Sequence, residues 1–264
     1  MSLPKSNLTP EEIAFFHREG YLVIDRLLEE SELAFAREVY DRIFEARTGR
    51  EEGNEFDLAG ADEDEKQAAL PQILSPARYA PEFETLKARD RALAITRQLL
   101  GEDAFFSGDH AILKPAGYGA ETPWHQDEAY WDEASHYNAV SVWIPFQEAT
   151  QENGCLHFIP GSHLWELKPH HPIGNDPRVH GLEVDEVDSS GAVVCPLKAG
   201  GATIHHSRTM HYAGPNRTQG VRRAYIMVFQ TPARKLEQPH DFYWWKSRTT
   251  TREKRAQAYK EKQG

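Results

Sequence analysis

Four residues in two distant stretches have the types and spacing to do metal chemistry. The first stretch is Pro123-Trp124-His125-Gln126-Asp127. The second is Met210-His211-Tyr212-Ala213-Gly214-Pro215-Asn216, followed by Arg222. Together they offer two imidazoles, a carboxylate and a guanidinium. Residues two apart on a strand or at its edge point to the same side, so His125 and Asp127 can share one ion. That pattern alone is weak: with 13 histidines and 14 aspartates in 264 residues, chance supplies about 0.7 such pairs. A surface hydrogen-bonded pair is the alternative.

Residues 205–211 change the balance, because they hold His205, His206 and His211 after Gly200-Gly201-Ala202-Thr203-Ile204, a turn entering a strand. Two neutral imidazoles and one carboxylate on one face of a ferrous ion leave positions open on the opposite face. That is the donor set of non-haem Fe(II) oxygenases, which take a chelating co-substrate and dioxygen there. Arg222 follows His211 by eleven residues, across a Gly-Pro-Asn turn and at the start of a strand. A buried guanidinium needs an anionic partner, and a co-substrate carboxylate would meet it bidentately. The alternative is an ordinary strand-edge cation at Arg222 or Arg223. His211 has a defined relation to Arg222, whereas His205 and His206 remain open as rival ligands.

The elements that position these groups fall into two textures. Thr9-Pro10-Glu11-Glu12 reads as a helix start, with Thr9 as N-cap, Pro10 at the first helical position and acidic residues at the positive end. Gly20 ends that helix, and Tyr21 to Ile24 reads as a buried strand. A second helix is predicted over 31–47 from Leu33, Phe35, Val39, Tyr40, Ile43 and Phe44, and a third over 81–100. The Glu-, Gly- and Asp-rich stretch 48–66 reads as a mobile surface loop, or equally as a lid. From Phe105 helical periodicity stops. Strands are predicted at 105–114, 139–146, 154–159, 192–195, 201–206 and 222–230. In Ala139 to Phe146, Val140, Val142, Ile144 and Phe146 share one face, and Ser141 and Trp143 the other. Short strands with Gly, Pro and Asn between them indicate an antiparallel sandwich or barrel. Helices first and strands later excludes a doubly wound parallel sheet. Residues 168–190 read as an insertion with His170 and His171 exposed, and the basic tail from Lys246 as a surface helix or disordered segment.

The net charge is −11, which argues against nucleic acid and against an anionic membrane surface as partners. Cys155 and Cys195 are too few for a disulfide framework. No apolar run has the form of a signal peptide or a bilayer span, so the expected setting is cytoplasmic. No motif specifies an oligomeric state.

Four motifs in register resemble the phytanoyl-CoA dioxygenase family of Fe(II)- and 2-oxoglutarate-dependent oxygenases, over roughly residues 9–232. They are Thr9-Pro10-Glu11-Glu12 through Gly20-Tyr21-Leu22-Val23; Leu113-Lys114-Pro115 with Trp124-His125-Gln126-Asp127; Glu152-Asn153-Gly154-Cys155-Leu156 with Pro160-Gly161-Ser162-His163; and His211 through Asn216 with Arg222-Arg223-Ala224. The resemblance implies a mainly β chain with flanking helices around a double-stranded β-helix, the cupin-like jelly roll. It implies one domain over 1–264: a mostly helical lead-in (1–104), the jelly-roll core (105–232) and a C-terminal extension (233–264). It implies His125, Asp127 and His211 as catalytic iron ligands, Arg222 as the partner of the distal 2-oxoglutarate carboxylate, and Lys114 as a second contact. Halogenating relatives lack the metal carboxylate, so Asp127 favours hydroxylation.

Ser141 and Trp143 share a strand face that can look toward the co-substrate, although Trp143 also suits a structural place. Trp131 matches a tryptophan that the ectoine-hydroxylase branch carries beside its substrate; it and Tyr130 are pocket candidates or core aromatics. Trp244 and Trp245 read as packing anchors. The function implied is hydroxylation of a small molecule coupled to oxidative decarboxylation of 2-oxoglutarate to succinate and CO2, with Fe(II) and dioxygen. A cupin-like metalloenzyme without 2-oxoglutarate, for which Arg222 and Lys114 have no use, and a non-catalytic binding module are the competing readings.

Overall fold

The structure, a computed structural model, describes residues 3–63, 66–246 and 248–264. Helix α1 (Pro10–Glu19) opens with a full capping box between Thr9 and Glu12. It closes on Gly20, whose φ of 81° is a left-handed conformation that glycine adopts without cost. Strand β1 (Tyr21–Ile24) and helix α2 (Glu30–Glu45) follow. Leu33, Ala36, Val39, Tyr40 and Ile43 of α2 are buried, whereas Phe35 is turned out to solvent at 42% exposure.

Segment 48–66 is not the unstructured loop that its composition suggests; Asp64 and Glu65 lie outside the described residues, and the rest is tied into the fold. It forms β2 (Glu55–Asp57), paired with β3 (Pro71–Leu74), and all three β2 residues are buried. Its buried acidic side chains, Glu55, Asp57 and Asp62, are acceptors rather than part of a solvated run. Asp57 takes the backbone N–H groups of Ala59, Ala69 and Leu70, and Glu55 pairs with Arg47 and Arg50. Composition signals disorder only when such groups have no partners, and here they do.

After a short α3 (Pro76–Tyr79), helix α4 runs Lys87–Leu100; the preceding residues 81–85 form a separate 3-10 turn. The strand-rich part comprises β4 (Phe105–Lys114), β5 (Thr122–His125), β6 (Ser135–His136), β7 (Ala139–Pro145), β8 (Leu156–Phe158), β9 (His171–Pro172), β10 (Leu182–Glu183), β11 (Val193–Cys195), β12 (Ala202–His206), β13 (His211–Ala213), β14 (Arg222–Gln230) and β15 (Arg234–Lys235). The tail adds α5 (Tyr243–Lys246) and α6 (Thr251–Gln263), the latter with its own Thr250–Glu253 capping box.

Seven strands form one sheet in the order β1-β12-β7-β14-β4-β3-β2, and four form a second in the order β11-β8-β13-β5. This is a jelly roll with helices outside it. Alternation along the central strands sorts their residues between two cores. Val140, Val142, Ile144, Ile204, Tyr225, Met227 and Phe229 pack with helices α1, α2 and α4. Trp143, Ala224 and Ile226 turn the other way and meet Leu156, Phe158, Cys195 and Ala213 of the smaller sheet. Each fully buried large apolar side chain contributes about 1.5–3 kcal/mol, so a one-residue slip would forfeit both cores at once. Gly154 (φ 89°) lets two loops touch, because a Cβ there would sit 2.3 Å from the Gly214 carbonyl oxygen.

Candidate metal and co-substrate site

The two stretches carrying the histidines are short strands of the smaller sheet. β5 and β13 pair antiparallel with His125 directly opposite His211, and the two ring centroids are 4.1 Å apart. Asp127 is not on a strand. It opens a 3-10 turn just past β5, so the strand end and the turn, rather than same-face alternation, bring it beside His125. The ligand atoms of His125, Asp127 and His211 lie within 4.8 Å of one another, and no other such group occurs among the described residues.

Hydrogen bonds fix which atom each residue presents. The Nδ1 of His125 is 2.7 Å from the Pro123 carbonyl and that of His211 is 2.9 Å from the Thr209 carbonyl. These contacts orient both rings and leave both Nε2 atoms facing Asp127 Oδ1, at 3.6 and 3.5 Å. The other carboxylate oxygen, Oδ2, accepts the Ser141 hydroxyl at 2.6 Å, and His205 Nε2 stands 3.3 Å from it. His205 therefore backs the carboxylate from behind, and His206 turns elsewhere, its Nδ1 accepting the Arg208 N–H. Burial would raise the Asp127 carboxyl, but His211, His125 and His205 outweigh it and hold it well below the usual range. Burial, with His125 beside it, holds His211 well below its ordinary value. An ionised carboxylate and a neutral imidazole are the protonation states a divalent metal requires, and this set fits Fe(II).

β14 carries Arg222 into the barrel with the same alternation that turns Ala224 and Ile226 inward. Arg222 is 1% exposed, and its Nε and Nη1 have no hydrogen-bond partner. No ion pair to it occurs among the described residues. Its guanidinium stands 5.4 Å from the Trp143 ring centre, and burial pushes its pKa down to about 10. A small cavity of about 50 Å3 is lined by His125, Asp127, His211, Trp143 and Arg222, among others. Metal donors and an unpaired cation thus share one enclosed space. Lys114 lies directly opposite Arg222 in register. It is fully buried, and its ammonium donates to the Ala120 and Ala213 carbonyls at 2.6 and 3.1 Å, so it ties the approach to β5 to β13.

A larger cavity of about 300 Å3 adjoins the small one at His125 and Asp127, lined by His125, Asp127, Ser141, Tyr130 and Trp131 together with residues from β3, β4 and the tail. Tyr130 accepts the Leu182 N–H at 2.7 Å, and Trp131 stands edge-on to Tyr137. Trp245 lines this cavity while its indole N–H donates to Ala129, so it is more than a packing anchor. Trp244 is the buried anchor, through the same carbonyl.

His170 is likewise not exposed. It is fully buried, and its Nε2 accepts the backbone N–H of Gln126 at 3.1 Å, between the two metal donors. Its Nδ1 is 2.7 Å from the Lys168 carbonyl. The Gln126 side chain returns the tie, accepting from Lys168 and donating to Arg208. His171 is partly buried and pairs with Asp185 and Glu183. Sequence reasoning also passed over His110, Gln72, His180 and Arg252, which line the larger cavity. Their signal was weak: Gln72 and Arg252 fall on or beside elements whose register cannot be read locally, His180 lies in the insertion, and His110, on a predicted strand, is one of 13 histidines with no motif beside it.

Residues 16–224 match the sequence profile described as Phytanoyl-CoA dioxygenase (PhyH). A probable alpha-ketoglutarate-dependent hypophosphite dioxygenase of Stutzerimonas stutzeri is 24% identical over 80% of this chain and 74% of its own. The ectoine dioxygenase of Sphingopyxis alaskensis is 25% identical over 88% of this chain and 79% of its own. Among solved structures, EvdO2 from Micromonospora carbonacea var. aurantiaca, complexed with 2-oxoglutarate, superposes with a TM-score of 0.79. It is 37% identical and covers 92% of this chain and 99% of that one.

Proposed function

We propose that this chain, which belongs to the phytanoyl-CoA dioxygenase family, hydroxylates a small molecule and couples that oxidation to decarboxylation of 2-oxoglutarate to succinate and CO2. The observation that carries the reading is Arg222: a guanidinium without an ionic partner, enclosed in the same small cavity as the three metal donors. An isolated buried charge is costly unless a ligand completes it, and a dicarboxylate that reaches both metal and Arg222 would do so. The 2-oxoglutarate complex of a structure 37% identical to this chain supports this co-substrate. The hypophosphite and ectoine named for its relatives support a small primary substrate.

His125 and His211 would hold Fe(II) through Nε2, and Asp127 through Oδ1. The bound metal, with dioxygen and 2-oxoglutarate, supplies the oxidising chemistry. The protein positions it. Ser141 holds the outer oxygen of Asp127, with His205 Nε2 close behind it, so that Oδ1 keeps its direction. Arg222 receives the distal carboxylate and thereby sets the orientation of the 2-oxo acid, with Trp143 against the guanidinium. Lys114 fixes the spacing of the strands that carry the histidines. Tyr130 and Trp131, in the larger cavity that adjoins the triad, would flank the primary substrate and exclude water from it.

Anaerobic Fe(II) plus 2-oxoglutarate should give a weak visible charge-transfer band with the wild-type chain and none with Asp127→Ala, which should no longer retain the metal. If the aerobic wild-type protein releases no succinate from 2-oxoglutarate above an iron-only blank, across a broad substrate panel, the proposal fails.

A further inference from the structure

The larger cavity has a second polar wall that the metal chemistry does not use. It is built around Phe56 of β2. Gln72 of β3 lies directly opposite Phe56 across the strand pair. His180, from the insertion, stands edge-on to the Phe56 ring at 4.8 Å. Arg252, from α6, places its guanidinium 4.8 Å from the centre of the same ring. All three polar residues line the cavity, with Trp131, Tyr130 and Trp245.

Arg252 Nε donates to the Gly53 carbonyl at 2.8 Å, and no carboxylate forms an ion pair with Arg252 among the described residues. Its neighbour Glu253 is taken by Arg248 and by its own capping box. The one acid lining the cavity is Asp127, which belongs to the metal site. A chain of net charge −11 thus turns a cation without a counter-ion toward this space. Beside it, Gln72 is 7% exposed and its Oε1 receives no donor; His180 is 8% exposed and its Nδ1 has no partner. Buried polar atoms are nearly always satisfied in folded proteins, so two unsatisfied ones on the wall of a cavity mark where ligand atoms belong.

We propose that Arg252 and Gln72 select the primary substrate, and that this substrate is a small hydroxyl-bearing anion. Its carboxylate or phosphate monoester meets Arg252, and its hydroxyl donates to Gln72 Oε1. The aromatic rings of Trp131, Tyr130 and Trp245 flank its carbon skeleton. Arg252 lies beyond residues 16–224, so the part of the chain that chooses the substrate lies partly outside the part that matches the family. The proposal rests on the reading that the primary substrate enters this cavity beside the metal.

The test is calorimetric titration of the full chain with 3-hydroxybenzoate, 3-hydroxyphenyl phosphate and neutral 3-hydroxybenzamide, under anaerobic Mn(II) and saturating 2-oxoglutarate so that Arg222 is occupied. At least one anion should bind about ten- to hundredfold more tightly than the amide, as expected for a charge-assisted hydrogen bond. Whichever anion binds better identifies the group. Arg252→Gln should erase the preference, Arg252→Lys should keep part of it, and Gln72→Leu should weaken the preferred anion, all with unchanged affinity for 2-oxoglutarate. Equal binding of amide and anions, no anion binding at millimolar concentration, or a preference that survives Arg252→Gln would overturn the proposal. Because 2-oxoglutarate affinity is measured on its own, the two readings fail separately: retained 2-oxoglutarate binding without an anion preference overturns this proposal alone, and loss of 2-oxoglutarate binding overturns the oxygenase reading.

Discussion

Replacing Arg222 by methionine should move stability and co-substrate affinity in opposite directions. Arg222 is 1% exposed, two of its nitrogens have no partner, and burial brings its pKa down to about 10 from an ordinary 12.5. Converted by linkage, that depression is a cost of about 3 kcal/mol for keeping the charge in the ligand-free protein at neutral pH. The contact with Trp143 returns about 1–2 kcal/mol. Methionine fills similar volume without a charge, so Arg222→Met should stabilise the ligand-free chain by about 1–2 kcal/mol, a rise of roughly 2–8 °C in Tm for a chain of this size.

The same change should weaken 2-oxoglutarate binding by about 2–5 kcal/mol, because a buried carboxylate would lose its charged partner. Thermal melts of metal-loaded protein with and without 2-oxoglutarate read both effects. At about a hundredfold over Kd the wild type should gain about 2.7 kcal/mol from the co-substrate, and the variant at most about 1 kcal/mol. A variant that melts lower than wild type without co-substrate, or that keeps its 2-oxoglutarate affinity, would refute the reasoning.

Two further outcomes follow from the supports of the site. Burial pushes His170 down to about 3 from an ordinary 6.5, so below about pH 6.5 the unfolded chain binds a proton that the folded chain refuses. Its contribution is therefore complete above that pH and is lost toward about pH 3, at about 1.4 kcal/mol per pH unit. Denaturant midpoints measured from pH 7 to 5 should fall with acidity, and His170→Gln should flatten the slope by about one proton; an unchanged slope would remove His170 from the account. Ser141→Ala leaves Asp127 Oδ2 without its hydroxyl donor and should weaken Mn(II) binding about 10–100-fold, read by titration of the spin signal; unaltered affinity would mean that the hydroxyl does not orient the ligand.

The long strands were legible because their signal is local. The extents of β4 and β14 were readable from their β-rich runs, and the faces of β7 from its alternation; in the structure the face of β14 that holds Ala224 and Ile226 is also the face of Arg222. The cap of α1 was legible for the same reason, since Thr9, Pro10, Glu12 and Gly20 act on adjacent backbone. β5 and β13 were not predicted as strands. At three or four residues they are too short to show a period, yet they carry His125 and His211. Segment 48–66 misled because an acidic stretch looks the same whether its carboxylates meet water or, as with Glu55 and Asp57, arginines and backbone N–H groups.

The sequence by itself determined the chemistry on offer: two imidazoles, a carboxylate and a guanidinium in a recognisable order, on a chain patterned for an antiparallel sandwich or barrel, which the family resemblance narrowed to a jelly roll. Tertiary structure decided which atoms meet. The choice of His211 over His205 follows from its place opposite His125 in the β5–β13 register, and His205 stands behind Asp127 because β12 pairs it with Ser141. The burial of His170 and the entry of Arg252 into the larger cavity depend on contacts with residues far away in the chain. Spacing specifies only what one strand or one turn can bring together. Cross-strand register and the docking of the tail are set by which distant surfaces pack, and that arrangement makes the metal site and the wall facing it.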